Sequence, residues 1–251
     1  MRICNATVLI TGASSGLGHR MALDLSHGDN NLIVTARREP LLRELAAQVE
    51  ANGSRCTVVP ADAIDPDASL AVIDAGIEAY GRIDVAILNA GGGTPENMAT
   101  VDAASVLHIM RVNYDTLVNF LCPLIARMEP GATIAHTGSP AGFFGLPKSG
   151  PYSAAKAACR VLLDTCRIEA SGKGIRFVEL YPGFTETPGL DPDDVPIKAL
   201  VIQPDRASRE MLGAIARGKS THMFPKRIAW LMTLARLLPG WLRRTVLRGA
   251  A

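Results

Sequence analysis

The sequence predicts an α/β protein built on one parallel β-sheet with helices packed on both faces. Short apolar runs rich in Val, Ile and Ala alternate along the chain with longer stretches of helical periodicity. The apolar runs lack the polar–apolar alternation of half-exposed strands, which indicates strands that are buried on both sides. Because parallel strands are joined by right-handed helical crossovers, this order predicts a doubly wound sheet.

Seven strands and six intervening helices follow from these patterns. The predicted strands are Thr7–Thr11, Asn31–Ala36, Thr57–Ala61, Val85–Asn89, Ala132–Thr137, Arg176–Tyr181 and the short Thr221–Phe224. The predicted helices are Leu17–Gly28, Glu39–Asn52, Asp67–Tyr80, Asp102–Met128, Ser153–Ser171 and Pro204–Arg217. Ligands of such folds bind beyond the carboxyl ends of the strands, so residues that follow strands are the first candidates for a site.

Two amphipathic segments after the last strand predict a helical tail. They are Arg227–Leu238 and Trp241–Arg248, separated by the helix-breaking pair Pro239-Gly240. With 251 residues, 48% of them hydrophobic and 20% charged, the chain suits one compact domain. We expect residues 1–225 to form this domain, with residues 226–251 as its basic tail.

Composition also narrows the compartment and the partners. The first strand follows the N-terminus too closely for a signal peptide, and no run approaches the roughly 20 apolar residues of a membrane span. The five cysteines show no CxxC pair, which disfavours disulfides and metal sites and predicts a cytoplasmic protein. Six basic residues and no acid lie between Lys226 and Ala251, against 20 basic and 24 acidic residues elsewhere. Because the excess is local, nucleic-acid binding is not expected.

A glycine-rich turn follows the first strand. It reads Thr11-Gly12-Ala13-Ser14-Ser15-Gly16-Leu17-Gly18 and leads into the first helix. Glycines allow a tight turn and let a pyrophosphate approach the backbone, where a helix N-terminus favours anions. The spacing differs from the commoner GxGxxG, so an ordinary strand–helix turn stays open as an alternative. The strand before it and the helix after it favour a Rossmann-like dinucleotide site.

The second strand ends at two arginines, Arg37 and Arg38. A dinucleotide site places an acid there for a ribose 2′-hydroxyl, or an arginine for a 2′-phosphate. No carboxylate stands at the strand end, and Glu39 comes later. The guanidinium of Arg37 offers a planar fork suited to phosphate, so NADP(H) is preferred over NAD(H). The alternative is a solvated surface pair.

Tyr152 and Lys156 carry the predicted chemistry. Residues four apart on a helix lie on one face. An ammonium group favours the phenolate form of a nearby phenol, which makes the tyrosine a usable proton donor and acceptor. Beside a dinucleotide, this pair predicts hydride transfer to or from a carbonyl or alcohol.

These motifs together resemble the single-domain branch of the short-chain dehydrogenase/reductase family, from about Thr7 to Thr187. The matching pieces, in the family's order and spacing, are Thr11–Gly18, Asp62, Asn89–Gly91, Asn113, Ser139, Tyr152 with Lys156, and Pro182-Gly183. Two positions depart from the usual pattern. Leu88-Asn89 stands where the family has two asparagines, and Gly138-Ser139 stands where it commonly has two serines.

The resemblance implies the role of each motif. The catalytic residues would be Asn113, Ser139, Tyr152 and Lys156, with Asn113 kinking its helix and holding a water that leads to the lysine. The cofactor would contact Tyr152 and Lys156 as well, together with Gly12, Ser14, Ser15, Gly16, Leu17, Gly18, Arg37, Arg38, Asp62, Ala63, Asn89, Ala90, Gly91, Pro182, Gly183, Thr185 and Thr187. No metal is needed.

Blander interpretations exist for several of these residues. Asp62 alone reads as a helix cap or turn acid, and Asn113 as a solvent-facing helical residue. Ser149 and Ser153 are alternatives to Ser139, but neither follows a strand. His136 is expected to be a satisfied core or surface histidine and not a catalytic one.

Substrate and assembly are less constrained by the sequence. The Pro- and Asp-rich segment Gly189–Val201 sits where the family has a substrate-covering loop, although a plain surface loop is the alternative. A hydrophobic carbonyl or alcohol is expected from the apolar side chains of Phe143, Phe144, Leu146, Phe184 and Leu190. The resemblance implies a homodimer or homotetramer through the helices Asp102–Met128 and Ser153–Ser171.

The tail and the function each leave alternatives open. Basic, acid-free helices with Trp can lie on anionic membranes, and they can equally cover a subunit or a pocket. Packing within the dimer or over the pocket is preferred to peripheral membrane contact or a frayed end. For the function, an NADP(H)-dependent carbonyl reductase is preferred. One alternative is an epimerase or dehydratase, which usually needs a second domain to hold its substrate. The other is a protein that binds the cofactor but catalyses nothing, and the intact set of Asn113, Ser139, Tyr152 and Lys156 disfavours it.

Overall fold

A seven-stranded parallel sheet forms the centre of the protein. The computed structural model describes residues 2–188 and 201–248, and within them the strands bond in the order β3-β2-β1-β4-β5-β6-β7, every pair parallel. The strands are β1 (Thr7–Thr11), β2 (Asn31–Thr35), β3 (Arg55–Val58), β4 (Val85–Leu88), β5 (Thr133–Thr137), β6 (Arg176–Pro182) and β7 (Thr221–Phe224). The predicted α/β, Rossmann-like fold class is confirmed.

Helices lie between the strands and after the last one. They are α1 (Gly16–Leu25), α2 (Glu39–Ala51), α3 (Pro66–Tyr80), α4 (Ala103–Met110), α5 (Thr116–Arg127), α6 (Gly150–Glu169), α7 (Pro204–Ala216), α8 (Lys226–Leu237) and α9 (Gly240–Arg248). Asp65 and Asp102 cap α3 and α4 by accepting hydrogen bonds from backbone amides of the first turns. None of the helices in the described ranges is long and apolar enough to span a membrane.

Two apolar cores cover the two faces of the sheet. On one face, Val8, Ile10 and Val34 pack against side chains of α1, α2 and α7. On the other face, Leu9 and Ile33 belong to the core formed with α3, α5 and α6. Burial on both sides explains why the strands are apolar without alternation.

The order of the strands fixes where a ligand can bind. The chain runs outward through β1, β2 and β3, and then returns to place β4 on the other side of β1. A crevice opens beyond the carboxyl ends of the strands at such a reversal. Gly12 follows β1, Asn89 follows β4 and Ser139 follows β5, so the motif residues surround this crevice.

Several elements differ from their predicted bounds by up to three residues, and two of the differences have a clear physical cause. Strand β3 begins two residues earlier than expected and ends at Val58, although the amide of Ala61 still bonds to the carbonyl of Ala36 at 3.1 Å. Pro60 has no amide hydrogen, which interrupts the ladder there. The helix predicted over Asp102–Met128 is two helices, because a π-helical turn at Arg111–Asp115 separates α4 from α5.

Candidate active site

The glycine turn is shaped by steric need at three positions. Gly12 and Gly16 have φ angles of 67° and 58°, a region that side chains disfavour. A Cβ on Gly18 would lie 2.4 Å from the carbonyl oxygen of Gly12. Within the described residues no side chain caps the first turn of α1, so the backbone amides of that turn are available to an anion. Together with Ser14, Ser15 and Leu17, this turn suits the pyrophosphate of a dinucleotide.

Arg38 lies over this turn, whereas Arg37 does not. The guanidinium of Arg38 donates to the Oγ atoms of Ser14 at 2.9 Å and Ser15 at 2.7 Å. Arg37 is exposed and makes no side-chain hydrogen bond among the described residues. Of the two predicted arginines, the structure therefore brings only Arg38 into contact with the glycine turn.

Asp62 and Ala63 follow the carboxyl end of β3, at the same edge of the sheet as the glycine turn. The Oδ1 atom of Asp62 accepts a hydrogen bond from the amide of Ile64 at 3.1 Å, which is the turn role considered as its alternative. The carbonyls of Ala63 and Ile64 accept from Nδ2 of Asn119 at 3.0 and 2.9 Å. Asn119 was missed by sequence reasoning. Its only signal was an amide side chain on the otherwise apolar helix α5.

Asn89 ties the ends of three strands together. Its Nδ2 atom donates to the carbonyl of Thr11 at 3.3 Å, and its Oδ1 accepts from the hydroxyl of Thr137 at 3.0 Å. The Oγ1 atom of Thr11 in turn accepts from the amides of Asn89 and Ala90. Thr11 and Thr137 are thus supporting residues of the site, and this network holds β1, β4 and β5 in register at the crevice.

Asn113 is fully buried in the π-helical turn between α4 and α5. Its Nδ2 donates to the carbonyls of Gly92 at 2.6 Å and Ile109 at 2.9 Å, and its Oδ1 accepts from the amide of Gly92. The solvent-facing interpretation of Asn113 is therefore wrong. A Cβ on Gly91 would lie 2.8 Å from Oδ1 of Asn113 and 3.4 Å from Nζ of Lys156, so the loop after β4 is closely packed against both residues.

Lys156 and Tyr152 lie beside each other at the end of β5, and Ser139 follows that strand by two residues. Lys156 is buried, donates from Nζ to the carbonyl of Thr137 at 2.9 Å, and lies 5.7 Å from the centroid of the Tyr152 ring. The Oγ atom of Ser139 accepts from the amide of Ala141 at 3.2 Å, which leaves its hydroxyl hydrogen as a donor. Tyr152 remains partly exposed.

The alternative serines take other positions. Ser153 is buried and its Oγ accepts from the amide of Leu146 at 3.4 Å. Ser149 precedes α6, and its backbone carbonyl accepts from the amide of Ser153. Neither follows a strand, in keeping with the choice of Ser139.

The segment after β6 reaches the glycine turn. The Cγ2 atom of Thr187 lies 3.4 Å from where a Cβ of Gly16 would be. Thr185 is buried and donates to the carbonyl of Gly183 at 3.1 Å. The amide of Gly183, which follows Pro182, bonds to the carbonyl of Phe224. The predicted cofactor residues from both halves of the sheet thus approach one another.

The tail covers the segment that follows Ser139. The guanidinium of Arg236 on α8 lies 4.9 Å from the ring centroid of Phe143, and that of Arg243 on α9 lies 5.3 Å from the ring of Phe144. Ile228 packs against Gly183, where a Cβ would lie 2.3 Å from its Cδ1 atom. Leu190 lies outside the described residues, as does the expected substrate-covering loop Gly189–Val201 except for its last residue.

His136 is buried behind the site and faces a buried acid. Its Nδ1 atom lies 3.8 Å from Oε1 of Glu179 on the neighbouring strand β6, and neither side chain has a hydrogen bond among the described residues. Arg167 lies 3.5 Å from the second carboxylate oxygen. Burial lowers the pKa of His136 to about 4. His136 is a core histidine as expected, but it is not satisfied by a hydrogen bond.

Comparisons with known proteins support the family assignment. The family described as short chain dehydrogenase matches residues 6–194. An uncharacterized oxidoreductase of Myxococcus xanthus is 30% identical over 236 residues, which cover 93% of this chain and 92% of the relative. A sulfoacetaldehyde reductase 2 of Chromohalobacter salexigens is 35% identical over 184 residues, covering 72% and 73% of the two chains.

The fold has close counterparts among solved structures. A short chain dehydrogenase/reductase from Burkholderia phymatum, solved in complex with NAD, superposes with a TM-score of 0.84. It is 22% identical and covers 94% of each chain. From the family match and the full-length relative, this chain belongs to the short-chain dehydrogenase family and is an NAD(P)-dependent oxidoreductase.

Proposed function

We propose that the protein is an NADP(H)-dependent carbonyl reductase, formally reversible as an alcohol dehydrogenase. The observation that carries this proposal is the pairing of Tyr152 with Lys156, which is buried and bonded to the carbonyl of Thr137 at the end of β5, two residues before Ser139. A phenol beside a buried ammonium can protonate a carbonyl oxygen, and a hydroxyl donor can polarise it.

Tyr152 and Ser139 act on the substrate oxygen. Tyr152 donates its phenolic proton to that oxygen in the reductive direction. Ser139 donates its hydroxyl hydrogen to the same oxygen, because its own oxygen already accepts from the amide of Ala141. A donor fixed before the reaction stabilises the charge that develops there. When bound, the nicotinamide supplies the hydride.

Lys156 and Asn113 support the tyrosine. An ammonium group has three donors, and one is committed to Thr137, which leaves two for the cofactor ribose and for a water. Asn113 fixes the loop at Gly91 and Gly92 against this lysine. We propose that Asn113 supports the water relay through which Tyr152 regains its proton.

NADP(H) is the proposed cofactor form, with NAD(H) as the alternative. The supporting observation is Arg38, held on the glycine turn by the hydroxyls of Ser14 and Ser15. A guanidinium at the end of the second strand suits a 2′-phosphate, and no carboxylate stands there to bind a 2′-hydroxyl. Arg37, which is exposed beside it, is proposed as a secondary contact.

A hydrophobic ketone or aldehyde is the proposed substrate. Phe143, Phe144, Leu146 and Phe184 lie on the segments that follow Ser139 and Pro182, and all four are partly exposed. The relative from Chromohalobacter salexigens is named for the reduction of an aldehyde, which agrees with the direction proposed but not with an apolar substrate.

A homodimer is the proposed assembly, with a homotetramer as the alternative. Leu107 on α4 and Val161 and Ile168 on α6 are large, exposed and apolar. Side chains of both charges, paired as Arg111–Asp115 and Arg160–Asp164, lie on the same helical stretches. Such a surface is suited to a second copy of the chain.

The cytoplasmic location stays a proposal from the cysteine pattern.

The experiment is cofactor oxidation by the purified protein against a panel of hydrophobic ketones and aldehydes. NADPH and NADH are compared, and Tyr152→Phe is the matched control because it removes only the phenolic hydroxyl. We expect turnover with NADPH, weaker turnover with NADH, and loss of turnover in the variant with cofactor binding retained. Equal use of NADH would contradict the cofactor assignment. Undiminished turnover by the variant, or tight NADPH binding without turnover of any compound, would overturn the proposed reaction.

A further inference from the structure

The tail exposes a stripe of large apolar side chains. Trp230, Leu234 and Leu237 follow helical spacing, so they share one side of α8, and Trp241 is exposed at the start of the next helix, α9. The exposed fractions are 67% for Trp230, 77% for Leu237 and 65% for Trp241. Leu231 and Leu234 are exposed beside them. We call these five residues the outer stripe.

The opposite side of the tail is attached to the protein. Ile228 is buried against Gly183, and Arg236 and Arg243 stack on Phe143 and Phe144. The outer stripe is therefore held in a fixed orientation beside the segment that follows Ser139. A contiguous apolar surface of this kind on an attached helix marks an interaction site.

The basic residues around the outer stripe disfavour a second copy of the chain as its partner. Lys226 and Arg227 are exposed at the start of α8, and the chain has six basic and no acidic residues from Lys226 to its end. A two-fold interface between copies would bring these like charges together. The apolar surface of α4 and α6 has charges of both signs and lacks this conflict, so a second copy of the chain suits that surface better.

We propose that the outer stripe docks on the surface of an anionic lipid bilayer. Trp and Leu enter the interface between headgroups and acyl chains, while Lys and Arg are attracted to anionic headgroups. With 12 and 9 residues, α8 and α9 are too short to span and would lie in the plane of the membrane. Docking does not depend on the reaction proposed above. Given that reaction, it places the segment after Ser139 near the lipid, where apolar carbonyl compounds accumulate.

The test is co-sedimentation of the full chain with vesicles of phosphatidylcholine, with and without phosphatidylglycerol. We expect binding to the anionic vesicles that weakens as salt is added. The triple variant Trp230→Ser/Leu234→Ser/Leu237→Ser should bind at least about tenfold more weakly, because it removes apolar side chains that enter the lipid. The variant Lys226→Glu/Arg227→Glu should also lose binding. Arg206→Glu/Arg209→Glu, which makes the same charge change on α7, should retain it.

Three outcomes would overturn the proposal. One is the absence of wild-type binding to anionic vesicles, and another is equal binding by the triple variant with an unchanged circular dichroism spectrum. The third is self-association of the wild type that the triple variant abolishes, without vesicle binding, since a second copy would then cover the stripe. Vesicle binding is measured without turnover, so these outcomes are separate from failure of the proposed reaction.

Discussion

The guanidinium of Arg38 holds the hydroxyl of Ser14 through two hydrogen bonds, from Nε at 3.2 Å and from Nη2 at 2.9 Å. Ser14 belongs to the turn whose backbone suits the cofactor pyrophosphate, so the arginine is fixed beside that turn. Because the side chain is oriented before any ligand arrives, less entropy is lost when it binds a phosphate.

The first prediction concerns cofactor choice. Arg38→Ala should raise the Michaelis constant for NADPH by about 10- to 100-fold, the loss expected for a hydrogen bond to a charged group. The Michaelis constant for NADH should change little, because NADH has no 2′-phosphate. Steady-state kinetics with both cofactors measure the effect.

Arg37→Ala is the matched control for this prediction, since it removes the same side chain from the neighbouring exposed position. We expect a smaller effect on NADPH than that of Arg38→Ala. If Arg37→Ala had the larger effect, the contact of Arg38 with the turn would not be the determinant of phosphate binding.

The second prediction concerns the loop after β4. Gly91 and Gly92 have φ angles of 154° and 158°, so alanine carries a similar backbone penalty at both positions. A methyl group on Gly91 would crowd Oδ1 of Asn113 and approach Nζ of Lys156, whereas one on Gly92 would meet nothing within 4 Å. Gly91→Ala should therefore lower kcat/KM at least about tenfold more than Gly92→Ala does. Comparable kinetics in the two variants would show that the close contact with Asn113 and Lys156 is unimportant.

Much of the fold could be predicted from the sequence because its determinants are local. Apolar runs, their spacing and the intervening helical periodicity specify buried parallel strands, and the motifs lie where those strands end. The bounds of β3 and the division at Arg111–Asp115 could not be predicted in the same way. They depend on backbone hydrogen bonds and on the burial of Asn113, whose side chain bonds to Gly92 in the loop after β4.

The supporting contacts of the site depend on the tertiary structure. Nothing in the pattern Arg37-Arg38 indicates which side chain turns back over the glycine turn. Asn119 reaches the carbonyls of Ala63 and Ile64 only because α5 packs beside the end of β3. The pairing of His136 with Glu179 follows from the register of β5 and β6, which the sequence does not specify on its own.

The third prediction concerns Asn119. Asn119→Ala removes two hydrogen bonds to the backbone at Ala63 and Ile64, in the segment that contains the expected cofactor residues Asp62 and Ala63. We expect a rise in the cofactor Michaelis constant of about 3- to 10-fold, with kcat little changed because the reacting atoms are remote. Asn97→Ala alters an amide whose Oδ1 accepts from the amide of Ala99 in an exposed loop, and it is the matched control. A fall in kcat with an unchanged cofactor constant would contradict the prediction.

The fourth prediction concerns the pair formed by His136 and Glu179 behind Lys156. Burial lowers the pKa of His136 to about 4 from its ordinary 6.5, and the positive charge of Lys156 acts in the same direction, while Glu179 opposes both. Between these two pH values the unfolded chain binds a proton at this position and the folded chain does not. The free energy of unfolding should therefore fall as the pH drops through this window, by up to about 1.4 kcal/mol per pH unit from this residue.

Urea unfolding of the wild type and of His136→Asn, from neutral pH down to about pH 4.5, measures this contribution. Asn cannot bind a proton, so the variant should lose less stability on acidification than the wild type, even if it is less stable at neutral pH. His27→Asn is the matched control, because it makes the same substitution at an exposed histidine. Parallel curves for the wild type and His136→Asn would mean that His136 takes up its proton without unfolding. The buried carboxylate of Glu179 would then stabilise the imidazolium about as strongly as burial disfavours it.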